Sequence, residues 1–404
     1  MSNRDAAYKV VKQLRKEGYQ ALFAGGCVRD RLLGRPAHDY DVVTDAVPKE
    51  VTRCFRRTLQ IGAQFGVVMV LIDGQQVEVA TFRTEGGYQD GRHPTQVEFA
   101  SAAEDASRRD FTVNGMFFDP IEKTVLDFVE GQQDLEKSIL RTIGNPDERF
   151  SEDYLRMLRA VRFAVKLEFE IEPATWASIQ KHAAKITGIS AERIAAELER
   201  ILTHPNRAHG VQLLIDSGLA SAIFEVYQNE PAEYGKTVIG HLPEAVDFPL
   251  ALAAFWTGFE TKTARACCRK LKLSNEHLKQ VRFLLEKRDV LLDADMPVSK
   301  LKLLMHEPYF WDLLILQTAI QKAKNEPGES VKKIRERALA IDEKDIRPTP
   351  LLNGHELIAL GAASGPMVGQ RVQEMYIAQL EGQLKTKQQA EHWCRHWVEK
   401  HKSI

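Results

Sequence analysis

Two aspartates separated by one residue could hold a divalent cation. Asp39 and Asp41 flank Tyr40, and the β-branched run Tyr40–Val43 predicts a short strand. Residues two apart on a strand point to the same face, so we expect the two carboxylates to lie side by side. Adjacent carboxylates repel each other unless a cation lies between them, and ligation by oxygen alone favours Mg²⁺. Such an ion bridges phosphate oxygens and lowers the pKa of an attacking hydroxyl, although a solvated strand edge would carry the same pattern.

A glycine-rich turn upstream could hold phosphate. Gly25 and Gly26 follow the apolar run Ala21–Ala24 and open a predicted helix that reaches Leu33. Glycine lets backbone approach a ligand closely, and a helix N-terminus offers free N–H groups to an anion. Arg29 would add a bidentate phosphate ligand. An ordinary strand-to-helix turn has the same pattern, but the position just before the aspartate pair favours a phosphate site.

A segment rich in charge follows a predicted helix that begins with the capping box Ser101–Glu104. Its residues Arg108, Arg109 and Asp110 could form a salt-bridged surface at the end of that helix. They could also place Arg109 on a triphosphate and Asp110 on a ribose hydroxyl.

Residues 152–163 form a second charged segment, whose periodicity predicts one continuous helix. At 100° per residue, its charged side carries Glu152, Asp153, Arg156, Arg159 and Arg162. Charge runs on helices are usually solvated faces with i,i+3 pairs. Three arginines on one face also suit a surface that reads phosphate or bases.

These segments need a framework of strands followed by helices. Strand patterns alternate with short helices in the first third of the chain, and Asp73-Gly74 between Val67–Ile72 and Val77–Phe82 predicts a tight hairpin. After Asn145-Pro146, helical periodicity recurs and prolines separate the predicted helices. The sequence therefore predicts a small head with strands and a long helical arm.

Composition narrows the class of protein. The chain has 404 residues, 44% hydrophobic and 27% charged, which predicts several globular domains and excludes a disordered or collagenous protein. The net charge of −1 excludes a wholly basic protein but not a local basic groove.

The apolar run Phe248–Trp256 is too short for a membrane helix, so we expect no membrane partner. Five cysteines without a Cys-x-x-Cys pair fit a reducing cytosol, and we expect a cytoplasmic protein.

Taken in order, the four segments resemble the class II tRNA nucleotidyltransferase and bacterial poly(A) polymerase superfamily. One such motif is common by chance, whereas four in order are specific. The resemblance implies an α+β fold: a nucleotidyltransferase head with a mixed sheet at residues 1–140, then an all-helical neck, body and tail at 141–205, 206–330 and 331–404. The matching residues are Gly25-Gly26-x-Val28-Arg29-Asp30, Asp39-x-Asp41, Arg108-Arg109-Asp110-Phe111-Thr112-x-Asn114 and Glu152-Asp153-x-x-Arg156.

The resemblance also implies roles for these residues. Asp39 and Asp41 would hold catalytic Mg²⁺, and Glu78 would be either a third catalytic carboxylate or an ordinary strand carboxylate. Asp153 and Arg156 would read the base edge of CTP or ATP in place of a nucleic-acid template. The nucleotide-binding residues implied by the resemblance are Gly25, Gly26, Arg29, Arg109, Asp110, Asn114, Asp153, Arg156, Arg159 and Arg162.

The expected activity is CCA addition to the 3′ end of tRNA from CTP and ATP, with the tail holding the tRNA acceptor stem. The segment Thr84–Pro94 resembles the flexible loop of enzymes with that activity, with Glu85 and His93 as departures.

An A-adding enzyme or a poly(A) polymerase remains the alternative, although the usual basic extensions of poly(A) polymerases are missing here. A non-catalytic RNA-binding module would not need both aspartates. The segment Leu252–Gly258 stands where a His-Asp phosphohydrolase pair would be expected, so we predict no hydrolase activity.

Overall fold

Backbone contacts divide the chain into two compact units. The computed structural model describes residues 2–37, 39–59, 66–88, 94–225 and 229–400. The N-terminal unit consists of Met1–Gln228 with Lys270–Lys272, and the C-terminal unit of Asn229–Arg269 with Leu273–Ile404. The division into head, neck, body and tail is finer than these two units and stays a prediction.

A seven-stranded mixed sheet lies in the N-terminal unit. The strands along the chain are β1 (Ala21–Ala24), β2 (Asp41–Thr44), β3 (Thr58–Leu59), β4 (Val67–Ile72), β5 (Gln75–Thr81), β6 (Arg83–Tyr88), β7 (Pro94–Phe99), β8 (Phe117–Asp119), β9 (Thr124–Leu126), β10 (Ile139–Leu140) and β11 (Glu170–Ile171). The order in the large sheet is β3-β4-β5-β2-β1-β8-β9. Strands β2 and β5 pair in parallel, whereas the other neighbours in this sheet are antiparallel.

Helices flank the sheet and continue after it. In the N-terminal unit they are α1 (Asn3–Lys16), α2 (Gly26–Leu32), α3 (Pro48–Cys54), α4 (Ala102–Ser107), α5 (Gly131–Glu136), α6 (Pro146–Glu152), α7 (Leu155–Leu167), α8 (Pro173–His182), α9 (Ala191–Leu202), α10 (Arg207–Asp216) and α11 (Leu219–Ile223). A 3₁₀ turn at Thr112–Asn114 precedes β8.

The C-terminal unit contains helices and no strand among its described residues. Its helices are α12 (Asn229–Gly240), α13 (Phe248–Phe255), α14 (Thr261–Lys270), α15 (Asn275–Lys287), α16 (Val298–Met305), α17 (Phe310–Ala323), α18 (Glu329–Leu339), α19 (Glu343–Ile346), α20 (Gly354–Ala359), α21 (Pro366–Leu380) and α22 (Lys387–Lys400). None of the helices in the described part of the chain is long and apolar enough to cross a membrane.

Two local predictions are confirmed. Asp73 and Gly74 both have positive φ (49° and 79°), which lets β4 turn directly into β5 with Ile72 opposite Gln75. Ser101 accepts from the backbone N–H of Glu104, and the Glu104 side chain accepts from the Ser101 backbone, so the capping box begins α4. The mixed sheet and helical remainder confirm the α+β fold class.

Three expectations need correction. The predicted neck is not wholly helical, because Glu170–Ile171 pairs as β11 with β10. The segment 152–163 is not one helix, since α6 ends at Glu152 and α7 begins at Leu155. Strand β2 begins at Asp41, so Asp39 precedes the strand instead of lying on it.

The predicted flexible loop lies mostly in an antiparallel hairpin of β6 and β7, with Tyr88 opposite Pro94. His93 lies outside the described residues, and so does the side chain of Glu85. The roles of these two departures from the family pattern stay untested.

Candidate active site

The turn between β1 and α2 requires glycine at its first position. Gly25 has φ +69°, which L side chains rarely adopt, and Gly26 is the first residue of α2. A Cβ built on Gly25 would lie 3.4 Å from Nη1 of Arg109 and 4.0 Å from the backbone oxygen of Asn114. The turn therefore brings its backbone close to Arg109, the arginine predicted to hold phosphate. Glycine in this turn also lets the backbone approach a ligand closely.

Arg29 is almost fully buried and ties α2 to the 3₁₀ turn. Its Nε and Nη2 donate to Oδ1 of Asp30 at 2.8 and 2.7 Å, and its Nη1 donates to Oδ1 of Asn114 at 2.6 Å. The guanidinium is 3% exposed. Arg29 thus braces the glycine turn, while its predicted contact with triphosphate stays untested.

Three predicted carboxylates come from the β2–β5 region. Asp41 is the first residue of β2, Asp39 lies two residues before it, and Glu78 lies in β5. Val42 pairs with Val79 in the parallel ladder, so Asp41 and Glu78, which precede them, are neighbours at the same point of the two strands. The topology therefore brings Asp41 and Glu78 together across a long sequence separation.

The carboxylates interact unfavourably with one another. Partial burial raises the pKa of Asp41, Asp39 raises it further, and the positive charge of Arg109 opposes both effects. Burial also raises the pKa of Glu78, with a further rise from Asp41 and an opposing effect of Arg83. Within the described residues, no side chain pairs with or donates a hydrogen bond to Asp39 or Asp41. A bound cation would relieve this repulsion, so the oxygen-only donor set fits a divalent metal ion.

Asp105 holds both arginines at the end of α4. Its Oδ2 accepts from Nε and Nη2 of Arg109 at 3.1 and 3.0 Å, and its Oδ1 accepts from Nε and Nη2 of Arg108 at 2.9 and 2.6 Å. The Arg109 guanidinium also stacks over the ring of Phe117, 5.0 Å from its centroid. The carboxylate of Asp105 is 1% exposed, so it orients the two arginines without itself facing solvent.

Asp110 lies between the 3₁₀ turn and α7. Its Oδ2 accepts from Nε and Nη2 of Arg159 at 2.9 and 2.5 Å, and its Oδ1 accepts from the backbone N–H of Phe111 at 2.9 Å. The Asn114 amide lies 3.4 Å from Oδ1. Burial by itself would raise the pKa of Asp110, but the charges of Arg159 and Arg156 and these hydrogen bonds lower it overall.

Asp153 and Arg156 do not lie on one continuous helix, because Asp153 lies between α6 and α7 and Arg156 lies on α7. Asp153 has extended backbone between α6 and α7, where its Oδ1 accepts from the Leu155 N–H at 3.0 Å. Its Oδ2 pairs with Arg193 at 2.6 Å, whereas Arg156 pairs with Glu152. The expected arrangement was wrong because Asp153 ends one helix and supports the start of the next. The base-reading role of the pair stays a prediction.

Phe163 gathers three of the predicted nucleotide-binding arginines around its ring. The guanidinium carbons of Arg162, Arg159 and Arg29 lie 4.2, 5.5 and 5.6 Å from the ring centroid. Arg162 Nε also lies 2.7 Å from Oε2 of the buried Glu197, on α9. Burial lowers the pKa of Arg162 to about 10, against the opposing effect of Glu197. The ring and the acid hold the arginines in place by packing and charge.

Sequence reasoning missed the acids that hold these arginines. Asp105 lies three and four residues before Arg108 and Arg109, and helical i,i+3 and i,i+4 spacing could have identified it. Glu197, the partner of Arg162, lies on α9, and so does Arg193, the partner of Asp153. No local sequence pattern links either residue to its partner. Hydrogen bonds join four of the predicted residues around α2, the 3₁₀ turn and α7: Arg29, Asn114, Asp110 and Arg159. Gly25 and Arg109 are close neighbours beside them.

Three family models match successive parts of the chain. Residues 21–141 match "Poly A polymerase head domain", and residues 168–230 match "Probable RNA and SrmB- binding site of polymerase A". Residues 249–392 match "tRNA nucleotidyltransferase domain 2 putative". Together these matches extend through both units.

Relatives match along almost the whole chain. The CCA-adding enzyme of Lacticaseibacillus paracasei is 37% identical over 92% of this chain and 90% of its own length. The CCA-adding enzyme of Enterococcus faecalis is 34% identical over 95% of this chain and 93% of its own length. A crystal structure of the Bacillus stearothermophilus CCA-adding enzyme in complex with CTP has 28% identity and a TM-score of 0.81, covering 99% of both chains. On these findings, the chain belongs to the class II tRNA nucleotidyltransferase family.

Proposed function

We propose that this chain adds CCA to the 3′ end of tRNA, taking CTP and ATP as substrates and using no nucleic-acid template. The observation that carries this proposal is the match, at 37% identity, to a CCA-adding enzyme over 92% of the chain. In the reaction, the 3′-hydroxyl of tRNA attacks the α-phosphate of the bound nucleotide and pyrophosphate leaves.

Asp39 and Asp41 are the residues that would hold the metal, and we propose Mg²⁺ because both offer only carboxylate oxygens. When bound, the ion supplies neutralisation of phosphate charge and a lower pKa for the attacking hydroxyl. Glu78 adds negative charge beside Asp41, and transfer by Glu78→Gln tests whether it takes part in catalysis.

The arginines and glycines would position the nucleotide. Arg109 is oriented by Asp105 beside the Gly25 turn, a place that suits contact with the triphosphate. Asp110 is proposed to select ribose, and its hydrogen bonds with Arg159 would fix its orientation. Preorganised groups of this kind favour a productive nucleotide pose because little reorganisation is needed on binding.

The RNA would be held by shape and phosphate contacts. In the C-terminal unit, a groove of about 310 Å³ between α14 and α15 is lined by Arg265, Arg269, Lys279 and Arg282. These cations support a phosphate-contacting surface in a chain whose net charge is −1.

All five cysteines are free, which supports the proposal of a cytoplasmic location.

One assay tests the proposed function directly. tRNAs ending before CCA, after C and after CC are each incubated with CTP, ATP, UTP or GTP. A CCA-adding enzyme extends the first two with CTP and the third with ATP, and it then stops. Use of ATP alone, and only on tRNA ending in CC, would identify an A-adding enzyme, whereas long A tails would identify a poly(A) polymerase.

A further inference from the structure

A cavity lies within the C-terminal unit, apart from the residues proposed for nucleotidyl transfer. It has a volume of about 750 Å³, and α17, α18 and the segment after α12 line it. Its apolar wall includes the buried side chains of Leu242, Leu314 and Val331. This volume and this wall are typical of sites that take a small organic ligand.

Gln321 places an unsatisfied amide oxygen at this cavity. The residue is 5% exposed, and its buried Oε1 accepts no hydrogen bond from any residue that the structure describes. The neighbouring Gly328 also lines the cavity, and a Cβ built there would lie 3.5 Å from Oε1 of Gln321. Because a buried amide oxygen normally accepts a hydrogen bond, the cavity suits a ligand that donates one to Oε1 of Gln321.

Trp311 provides an exposed aromatic face at the same cavity. Its side chain is 48% exposed, and an edge-to-face contact with Phe310, with ring centroids 5.3 Å apart, restricts its orientation. An exposed indole that is held in this way suits the stacking of a flat ring, because every nucleobase has a π-face.

Positive charge completes the lining. Lys322, Lys332 and Arg335 are exposed, and none has an ion-pair partner in the described part of the chain. Glu326 is the one carboxylate among the residues that line the cavity. The excess of cations favours a ligand that carries negative charge, and arginine and lysine both bind phosphate.

We propose that this cavity binds an adenine nucleotide, taken either as a free mononucleotide or as an unpaired residue of an RNA chain. Trp311 would stack on the base, and the Gln321 amide would pair with N6 and N7 of adenine, the bidentate contact that glutamine makes with that base. The three cations would face the phosphate. The proposal does not depend on the transfer activity, because none of these residues belongs to the proposed transfer site.

The test uses the full chain labelled with 5-fluorotryptophan and observed by ¹⁹F NMR. The sequence has five tryptophans, and the signal missing from Trp311→Phe assigns Trp311. Titration with AMP should shift the Trp311 signal saturably, and UMP should bind more weakly by about tenfold or more, since it lacks the amine and N7. A single-stranded oligoadenylate in place of AMP tests the RNA source. A saturable shift with either probe supports the proposal and identifies that source.

Matched variants separate the cavity from general charge effects. Lys332→Ala should weaken AMP binding, whereas Lys324→Ala, an exposed lysine that does not line the cavity, should leave it unchanged. Gln321→Leu should remove the preference for AMP over UMP while the other tryptophan signals stay in place, which shows that the fold is intact. Asp41→Ala should abolish transfer without changing the Trp311 shift. The proposal is overturned if neither AMP nor oligoadenylate shifts the Trp311 signal, or if UMP binds as well as AMP.

Discussion

At Asp110, burial and charge act in opposite directions. Burial favours the protonated acid, but Arg159 and Arg156 favour the carboxylate and lower the pKa overall. A residue with a depressed folded-state pKa adds stability above its unfolded pKa and loses it as the pH falls through the folded pKa. The ordinary value for this aspartate is 3.8, so the loss begins near that pH and continues below it.

Asp110→Asn should therefore destabilise the protein most at higher pH. Without the carboxylate, Arg159 loses its charged partner. Breaking a fully buried pair typically costs about 3–5 kcal/mol, and the cost here should be smaller because the Arg159 side chain is 33% exposed. Urea unfolding at about pH 5 and about pH 3 should show a smaller difference between wild type and variant at the lower pH. A difference that is equal at both pH values would contradict the assigned ion pair.

Asp41→Ala should abolish nucleotidyl transfer and leave the melting temperature near that of the wild type. The carboxylate forms no hydrogen bond or ion pair with a side chain among the described residues, so its loss breaks no such contact while it removes a proposed metal ligand. Thermal melting, tRNA binding and transfer rate are measured together. Glu78→Gln is the companion variant: loss of transfer identifies a third functional carboxylate, and unchanged transfer identifies an ordinary strand residue.

Asp153→Ala and Arg156→Ala should each reduce the preference for CTP and ATP over UTP and GTP. An aspartate accepts from the exocyclic amine of cytosine or adenine, and an arginine donates to the ring nitrogen beside it. Because Asp153 also pairs with Arg193, the matched control is Arg193→Ala, which breaks the same ion pair and keeps the carboxylate. Selectivity that survives in Asp153→Ala, or that falls equally in Arg193→Ala, would make the aspartate structural.

Helix α7 carries three of the predicted nucleotide-binding arginines, Arg156, Arg159 and Arg162. Helix α9 supplies an acidic partner for one of them. Glu197 on α9 is 4% exposed and lies beside Arg162 on α7. Glu197→Leu should lower the free energy of unfolding by about 3–5 kcal/mol, because it strands a buried guanidinium. The double variant Arg162→Met/Glu197→Leu should recover most of that loss. Urea unfolding measures both, and a double variant less stable than Glu197→Leu would contradict the explanation.

The elements differ in how far the sequence predicts them. Asp73-Gly74 and the Ser101–Glu104 box act within a few residues, so their turn and helix start were predictable. The break at Asp153 was missed because charged and apolar positions keep helical spacing across it, although an aspartate before an apolar run also indicates a helix start. The pairing of Glu197 with Arg162 depends on how two helices pack, and the sequence carries no local signal for it.

For the whole molecule, tRNA affinity should fall linearly on a plot of log K against log salt. A net charge of −1 gives no general attraction to RNA, so binding must depend on local cations. Lys279→Ala and Arg282→Ala, in the α14–α15 groove, should each reduce the slope by roughly 1. Lys344→Ala, an exposed lysine beside Asp342, is the control and should leave the slope unchanged. Equal slopes in all four proteins would place the RNA contacts elsewhere.

The order of strands in the large sheet also constrains how the chain acquires its activity during synthesis. Strand β2, with its aspartate, can pair with β1 early, but β1 lacks its other neighbour until β8 has been made. Asp110 then lacks its charged partner until Arg159 emerges. Since domains form as synthesis proceeds from the N-terminus, a nascent chain that ends before α7 contains the aspartates proposed to hold the metal but lacks part of the proposed nucleotide site. We therefore expect unfinished chains to leave the cellular CTP and ATP pools untouched.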